Sequence, residues 1–254
     1  KMLAEIADKY ADVGQYDQVL QLVKTAGDAT YGLSSQIINE YTGAGQYDRA
    51  LQVAAAIEDP PFKADMLAEL ASKYTEAGQV MLPNRAGWYT TEQPVVPENS
   101  RLRPLAPYSE EKAAEILSQA QQIADTIEEP DFKAGTLVRI AGKYREVRHG
   151  EKAAKILSHA LQVANIIEDP FSRAHVLAGI AGKYTEAKQR EKTTEILARA
   201  LQVANIIEDS YSKAGALVEI TGKHIDAEQY DQALQLVNTI EEPSFKADLL
   251  AQIA

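Results

Sequence analysis

The side chains that could bind a metal or transfer protons are four histidines and several pairs of adjacent carboxylates. The histidines are His149, His159, His175 and His224. No two of them stand four residues apart, the spacing at which one helix presents a pair of zinc ligands. The sequence therefore predicts no metal site and no catalytic residue. A composite site built from distant histidines such as His149 and His159 is the alternative.

The carboxylate pairs could in principle serve acid–base or calcium chemistry. They are Glu128–Glu129, Glu168–Asp169 and Glu208–Asp209. Each pair precedes a predicted helix, where capping and the helix dipole already favour negative charge. The sequence has no cysteine, no glycine-rich phosphate loop after a strand and no nucleophile motif. We expect no enzymatic activity and no cofactor.

The overall charge narrows the classes of partner. The chain has 254 residues, a formal net charge of −11 and a pI near 4.9. Binding to nucleic acid or to an anionic membrane needs clustered Lys and Arg, so neither is expected. The sequence does not begin with Met, and we expect a fragment of a longer protein. The compartment and the oligomeric state stay open, with a cytoplasmic location favoured.

Two short phrases recur along the chain and define a repeat. A Lys-Tyr phrase ends at Tyr10, Tyr74, Tyr144 and Tyr184, with variants at Tyr41 and His224. A second phrase, "IEDP" or "IEEP", ends at Pro60, Pro130, Pro170 and Pro243, with Ser210 in the equivalent place once. Apolar residues at helical spacing lie before and after each Tyr, which predicts two antiparallel helices per unit. Asp169 is expected to cap the next helix and Pro170 to occupy its first position.

The repeat has two lengths. Later units are 40 residues long and one early unit is 33, and the seven extra residues fall in the second helix. Seven residues are close to two helical turns, so the longer helix keeps its apolar face toward the core. We predict longer second helices in the three central hairpins and shorter ones on either side.

The short units resemble tetratricopeptide repeats. The family pattern of Tyr, Gly, an aromatic and a small residue is matched by Tyr41, Gly45, Tyr47 and Ala50. The longer units depart from it, with Arg148 and Lys188 at the glycine position, and a period near 40 also falls in the range of HEAT-like repeats. The resemblance implies an all-α fold, a right-handed α-solenoid of antiparallel helix pairs. Residues 1–254 would form one TPR-like superhelix of about six hairpins and a partial terminal helix.

The resemblance also implies that the first helices line a concave groove. The residues expected to contact a partner there are Ser35, Asn39, Ser72, Gly142, Gly182 and His175. Most are small, and the Lys, Arg and Asn set with which family members grip acidic peptide C-termini is largely missing. The glycines have two interpretations, close approach of a ligand backbone or tight packing of helices.

Residues 80–109 interrupt the third hairpin. This stretch contains Pro at positions 83, 94, 97, 104 and 107, and its charge is +1 against −12 for the remaining chain. So many prolines exclude a continuous helix. The segment is a tolerated insertion, a loop packed on its own scaffold or a partner-contacting element. Trp88 and Tyr89 are its candidate binding residues.

These observations predict a scaffold that binds a peptide or protein partner through the groove and has no catalysis of its own. The alternative is a regulatory or spacer segment of a larger signalling protein or enzyme, with the insertion docked on the scaffold.

Overall fold

The computed structural model describes residues 30–80, 110–240 and 243–253, together with the single positions Lys9, Gln18 and Gln21. Within these residues the secondary structure consists of eleven α-helices and no strand. The helices are α1 (Thr30–Gly43), α2 (Tyr47–Ala56), α3 (Pro60–Val80), α4 (Glu110–Asp125), α5 (Pro130–Glu146), α6 (Gly150–Ala164), α7 (Pro170–Glu186), α8 (Arg190–Asn205), α9 (Ser210–Asp226), α10 (Tyr230–Thr239) and α11 (Pro243–Ile253). In the part of the chain so described, no helix combines the length and the apolar composition that crossing a bilayer requires.

The helices alternate between two roles. Odd-numbered helices are the first helices of successive repeats, and even-numbered helices are the second. The chain divides into two compact units, residues 1–122 with 146–149 and residues 123–145 with 150–254. In the first unit, α1 packs against α2 and α3. In the second, α7 packs against its partner α8 and against the next first helix α9, and α9 packs in the same way against α10 and α11.

The first helices begin as the sequence predicts. The Asp169 carboxylate accepts a 2.7 Å hydrogen bond from the backbone N–H of Ser172, and Pro170 occupies the first turn. Asp209 makes the same bond to Ser212, although Ser210 replaces the proline. An extended aspartate that satisfies an otherwise unpaired N–H is the usual N-cap. The predicted capping role of Asp169 is confirmed.

The first helices end in a turn that reverses the chain. Lys188 N–H donates to Thr185 O at 2.8 Å and Gln189 N–H donates to Tyr184 O at 3.0 Å. These two bonds form a Schellman motif, in which the residue after the C-cap is left-handed. Lys188 has a φ of 56°, and Gly45 at the equivalent position has a φ of 71°. The longer repeats thus keep the same turn as the short repeat that has Gly45, without its glycine.

The core is formed by the apolar stripes of both helices. Leu177, Ile180 and Tyr184 on α7 are buried with 2% exposure or less, as are Ile196 and Leu197 on α8, which packs against α7. The predicted helical stripe on this first helix is confirmed. Burial of such side chains contributes about 1.5–3 kcal/mol each, so every hairpin depends on this contact for stability.

The second helices differ in length as predicted. Helices α4, α6 and α8 contain 16, 15 and 16 residues, whereas α2 and α10 contain 10 each. The helices are therefore five or six residues longer rather than seven. The remaining residues form the turn before a buried isoleucine such as Ile167 or Ile207.

The proposed insertion lies almost entirely outside the described residues. Helix α3 ends at Val80 and α4 begins at Glu110. Trp88 and Tyr89 fall between them, so their binding role stays a prediction. The single superhelix of about six hairpins likewise stays a prediction.

Candidate partner-binding face

Three consecutive first helices in the second unit present a polar surface. Helices α5, α7 and α9 each contribute two residues four positions apart, which lie on one side of a helix. We call this surface the first-helix face and define it by Gly135, Arg139, His175, Gly179, Gly215 and Glu219. Arg139 and His175 are exposed and the other four residues are half-buried.

His175 and Glu219 join two neighbouring first helices. His175 Nδ1 lies 2.7 Å from Glu219 Oε2. The hydrogen bond to the Glu219 carboxylate raises the pKa of His175, and partial burial and the positive charge of Arg139 oppose this shift more weakly. The imidazole therefore holds its proton to higher pH than a free histidine.

Arg139 supplies positive charge on the preceding first helix. Its guanidinium donates a 3.0 Å hydrogen bond to Thr136 Oγ1 and lies 3.6 Å from the place where a β-carbon would stand at Gly135. The glycine leaves room for the guanidinium to lie along the helix. The face consequently presents a guanidinium, an imidazole and a carboxylate on three successive repeats.

The predicted glycines Gly142 and Gly182 lie next to lysine side chains of the following repeat. A β-carbon at Gly142 would meet Lys183 Cε at 3.1 Å, and one at Gly182 would meet Lys223 Cδ at 3.3 Å. Gly142 is buried and Gly182 is half-buried. The lysine stems therefore occupy the space that the glycines leave, which is helix packing. A partner that contacts these glycines must first displace the lysines.

The ammonium groups of the same lysines form ion pairs with acidic residues of their own helices. Lys183 Nζ pairs with Glu186 Oε1 at 2.7 Å, and Lys223 Nζ pairs with Asp226 Oδ2 at 3.0 Å. Arg145 adds a link between repeats, since its guanidinium donates to the backbone carbonyls of Lys183 and Glu186. Solvent-exposed pairs of this kind contribute little to stability, about 0–1 kcal/mol. Replacing one of these ion-pair partners by a charged ligand therefore costs little free energy.

The predicted binding residues of the first unit have different environments. Asn39 is exposed, and its Oδ1 accepts a 2.5 Å hydrogen bond from Lys73 Nζ. Ser35 is half-buried, with its hydroxyl 3.6 Å from Met66 Sδ. Ser72 is only 4% exposed and donates to Glu146 Oε2 at 2.6 Å. Asn39 alone among these three is accessible to a partner without rearrangement.

Of the residues on this surface, the sequence predicts His175 but not Arg139, Glu219 or the two lysines Lys183 and Lys223. The candidate positions in the sequence are those where successive repeats carry small residues. The positions where the residue type changes between repeats carry a different signal. Position 139 and its equivalents hold Arg139, Gly179 and Glu219 in three otherwise similar repeats, so the charge changes while the scaffold does not.

The other histidines are engaged separately. His224 occupies the buried tyrosine position, where its Nδ1 lies 2.7 Å from Gln229 Oε1, and the Gln229 amide donates to Thr194 Oγ1 at 2.7 Å. Burial lowers the pKa of His224, and the Gln229 hydrogen bond opposes this shift. His159 Nδ1 lies 3.6 Å from Asp125 Oδ1. Among the described residues, no three His, Asp or Glu side chains are grouped to hold a metal ion.

Two depressions lie on the hairpin-turn side of this unit. They have volumes of about 350 and 390 Å³, and both are lined by Arg190 and Glu228. The first also includes Thr194 and Gln229 of the His224 network, and the second includes residues at the ends of α7 and α9. Both are open and lined largely by polar and charged side chains, which suits water and small ions better than an apolar ligand.

Solved structures with a similar fold are known. No protein-family model matches the sequence, and a search of curated proteins also gave no match. The structure of Ton1535 from Thermococcus onnurineus NA1 is similar with a TM-score of 0.65 and 20% identity, over 87% of this chain and 57% of Ton1535. This chain thus spans little more than half the length of Ton1535.

Two further solved structures are described as containing tetratricopeptide or similar repeats. A Podosopora anserina putative kinesin light chain with TPR-like repeats has a TM-score of 0.47 and 17% identity, over 86% of this chain and 95% of that one. A Pyrococcus horikoshii STAND protein with a tetratricopeptide repeat sensor, PH0952, has a TM-score of 0.44 and 15% identity, over 99% and 34%. With its tandem hairpins, capped helix starts and left-handed turns, this chain has an all-α helical-repeat fold whose hairpins resemble tetratricopeptide repeats.

Proposed function

We propose that the chain is a non-catalytic scaffold that binds a peptide or protein partner through the first-helix face. The observation that carries this proposal is the row formed by Arg139, His175 and Glu219. These three polar groups lie on adjacent first helices, within helical segments rather than loops. A preorganised row of this kind costs little conformational entropy when a partner binds.

The charges of the row indicate what it recognises. Arg139 offers a planar donor for a carboxylate, and Glu219 offers an acceptor for Lys or Arg. His175 lies between them and is already hydrogen-bonded to Glu219. The proposed partner segment therefore carries an acidic and a basic side chain rather than a single type of charge. Asn39, on the first unit, is a second candidate contact.

The test is selection of displayed peptides on the wild-type chain, followed by binding measurements on charge-reversed variants. Arg139→Glu and Glu219→Lys are each expected to weaken the selected peptides about tenfold or more, because a like charge replaces a complementary one. The matched control reverses Lys155 and Glu195, two exposed residues on the second helices α6 and α8. The proposal fails if the control variants weaken binding and the face variants do not.

A further inference from the structure

A second surface lies at the loops that connect successive repeats of the second unit. Large apolar side chains are exposed there, with Ile166 at 66%, Ile206 at 58% and Tyr211 at 76% accessible. We call this surface the loop edge and define it by Ile166, Glu168, Phe171, Ile206, Glu208 and Tyr211. None of its residues belongs to the first-helix face.

The fold does not need an isoleucine at positions 166 and 206. The next residue, Ile167 or Ile207, is the buried one that closes the hairpin. At the exposed position the other repeats carry Ala56, Thr126 or Thr239. Thr126 and Thr239 each hydrogen-bond a backbone carbonyl of the preceding helix at 2.7 Å, which isoleucine cannot do. Two repeats therefore expose an apolar side chain where a threonine would serve the helix end better.

Aromatic residues extend the loop edge toward neighbouring first helices. Phe171 at the start of α7 places its Cε2 atom 3.8 Å from the β-carbon position of Gly215 on α9. Tyr211 at the start of α9 lies with its ring centroid 6.3 Å from that of Phe245 on α11. Each exposed ring thus reaches the next first helix.

The loop edge is also acidic. Glu168, Asp169, Glu208 and Asp209 are all exposed. The backbone hydrogen bond from Ser172 is the main cause of a lowered pKa at Asp169, so this carboxylate stays charged. The nearby Lys213 ammonium group donates a 2.9 Å hydrogen bond to the Asn205 backbone carbonyl. The Lys133 ammonium group donates an equivalent 2.7 Å bond to the Asp125 backbone carbonyl. These lysines cap helix ends while the carboxylates face solvent.

Apolar side chains bordered by negative charge define the chemistry of the occupant. Nucleic acids and anionic lipids are repelled by the carboxylates. A helix with a leucine or isoleucine stripe bordered by Lys or Arg complements both properties. We propose that the loop edge binds a basic amphipathic helix of a partner protein.

The experiment measures binding of a fluorescent synthetic helix made only of leucine and lysine, about 18 residues long so that it is helical. The double variant Ile166→Ser with Ile206→Ser is expected to raise the Kd about tenfold, because two apolar contacts are lost. Glu168→Gln with Glu208→Gln is expected to raise it about threefold and to reduce its salt dependence. The controls are Leu234→Ser, and Glu151→Gln with Glu195→Gln, which change exposed residues elsewhere.

Four results would overturn the proposal. The first is undetectable binding to the wild-type chain, and the second is an equal loss of affinity in the control variants. The third is a tenfold gain on deletion of residues 81–109, which would make the chain's own Pro-rich segment the occupant. The fourth is a wild-type dimer in sedimentation equilibrium that the Ile→Ser variant abolishes, which would make the occupant a second copy. Failure here leaves the first-helix face unaffected, because the variants that test the loop edge change no residue of that face.

Discussion

In the part of the chain that the structure describes, three residues with side chains adopt a backbone conformation that normally requires glycine. Arg148, Lys188 and Glu228 have φ values of 64°, 56° and 58°, and each follows a first helix at the position that Gly45 fills in α1. A left-handed conformation costs a residue with a β-carbon about 1–2 kcal/mol. Part of this cost is offset, since glycine has more conformational freedom to lose on folding.

Replacing Lys188 by Gly is expected to stabilise the chain by about 0.5–1 kcal/mol, because the strain disappears while the Schellman hydrogen bonds stay. Urea unfolding measures the change as a higher midpoint. The control is Ala187→Gly one residue earlier, where φ is −79° and glycine is expected to destabilise. A lower midpoint for Lys188→Gly would contradict the turn assignment.

The His175 pair predicts a pH dependence of known sign. The Glu219 hydrogen bond raises the pKa of His175 in the folded state. The stabilisation is therefore fully present below the unfolded pKa near 6.5 and is lost as the pH rises through the higher folded value. Glu219→Gln should lower the free energy of unfolding at pH 6 by a few tenths to about 1 kcal/mol, and by less at pH 9.

The lowered pKa of His224 gives the stability a pH dependence of the opposite sign. His224 is unchanged in the variant, so the comparison with wild type at each pH removes its contribution. Glu195→Gln on α8 is the control and should show no such difference between the two pH values. An equal loss at pH 6 and pH 9 for Glu219→Gln would mean that the pair does not hold the proton.

At the scale of the helix, the internal glycines of the first helices have different surroundings. Lysine stems lie against Gly142 and Gly182, whereas a β-carbon built at Gly179 would meet Val138 Cγ1 at 3.7 Å. A β-carbon at Gly142 or Gly182 would lie 3.1 or 3.3 Å from the lysine of the following repeat. One at Gly179 would instead contact the preceding first helix at an ordinary van der Waals distance.

This difference predicts that replacing these glycines by alanine has unequal effects on the free energy of unfolding. Gly179→Ala should stabilise the chain by about 0.5–1 kcal/mol through helix propensity, because its β-carbon would meet Val138 Cγ1 at an ordinary 3.7 Å. Gly142→Ala should gain less or nothing, because its β-carbon would stand 3.1 Å from Lys183 Cε and the lysine must move. Thermal unfolding of both variants gives the order. The helix packing described here is wrong if Gly142→Ala is the more stabilising change.

At the scale of the molecule, the sequence predicts the hairpins well because their determinants are local. Asp169 and Pro170 mark a helix start, and the apolar stripe of α7 identifies its buried side. The binding face is harder to predict. The Lys183 side chain contacts Gly142, which lies 41 positions earlier in the sequence. His175 is hydrogen-bonded to Glu219, which lies 44 positions later. Such contacts depend on the relative placement of repeats, which local periodicity does not determine.

The interchangeability of the hairpins is tested most directly by deleting one whole period. Removal of residues 170–209, a stretch of 40 residues, joins Asp169 to Ser210 and recreates the native Asp209–Ser210 junction. A repeat array should keep the same helical signal per residue and a cooperative, less stable unfolding transition, because neighbouring repeats still meet. Deletion of residues 170–199 breaks the period and should lose both properties. Loss of helical structure in the 170–209 deletion, to the same extent as in that control, would contradict a repeat array.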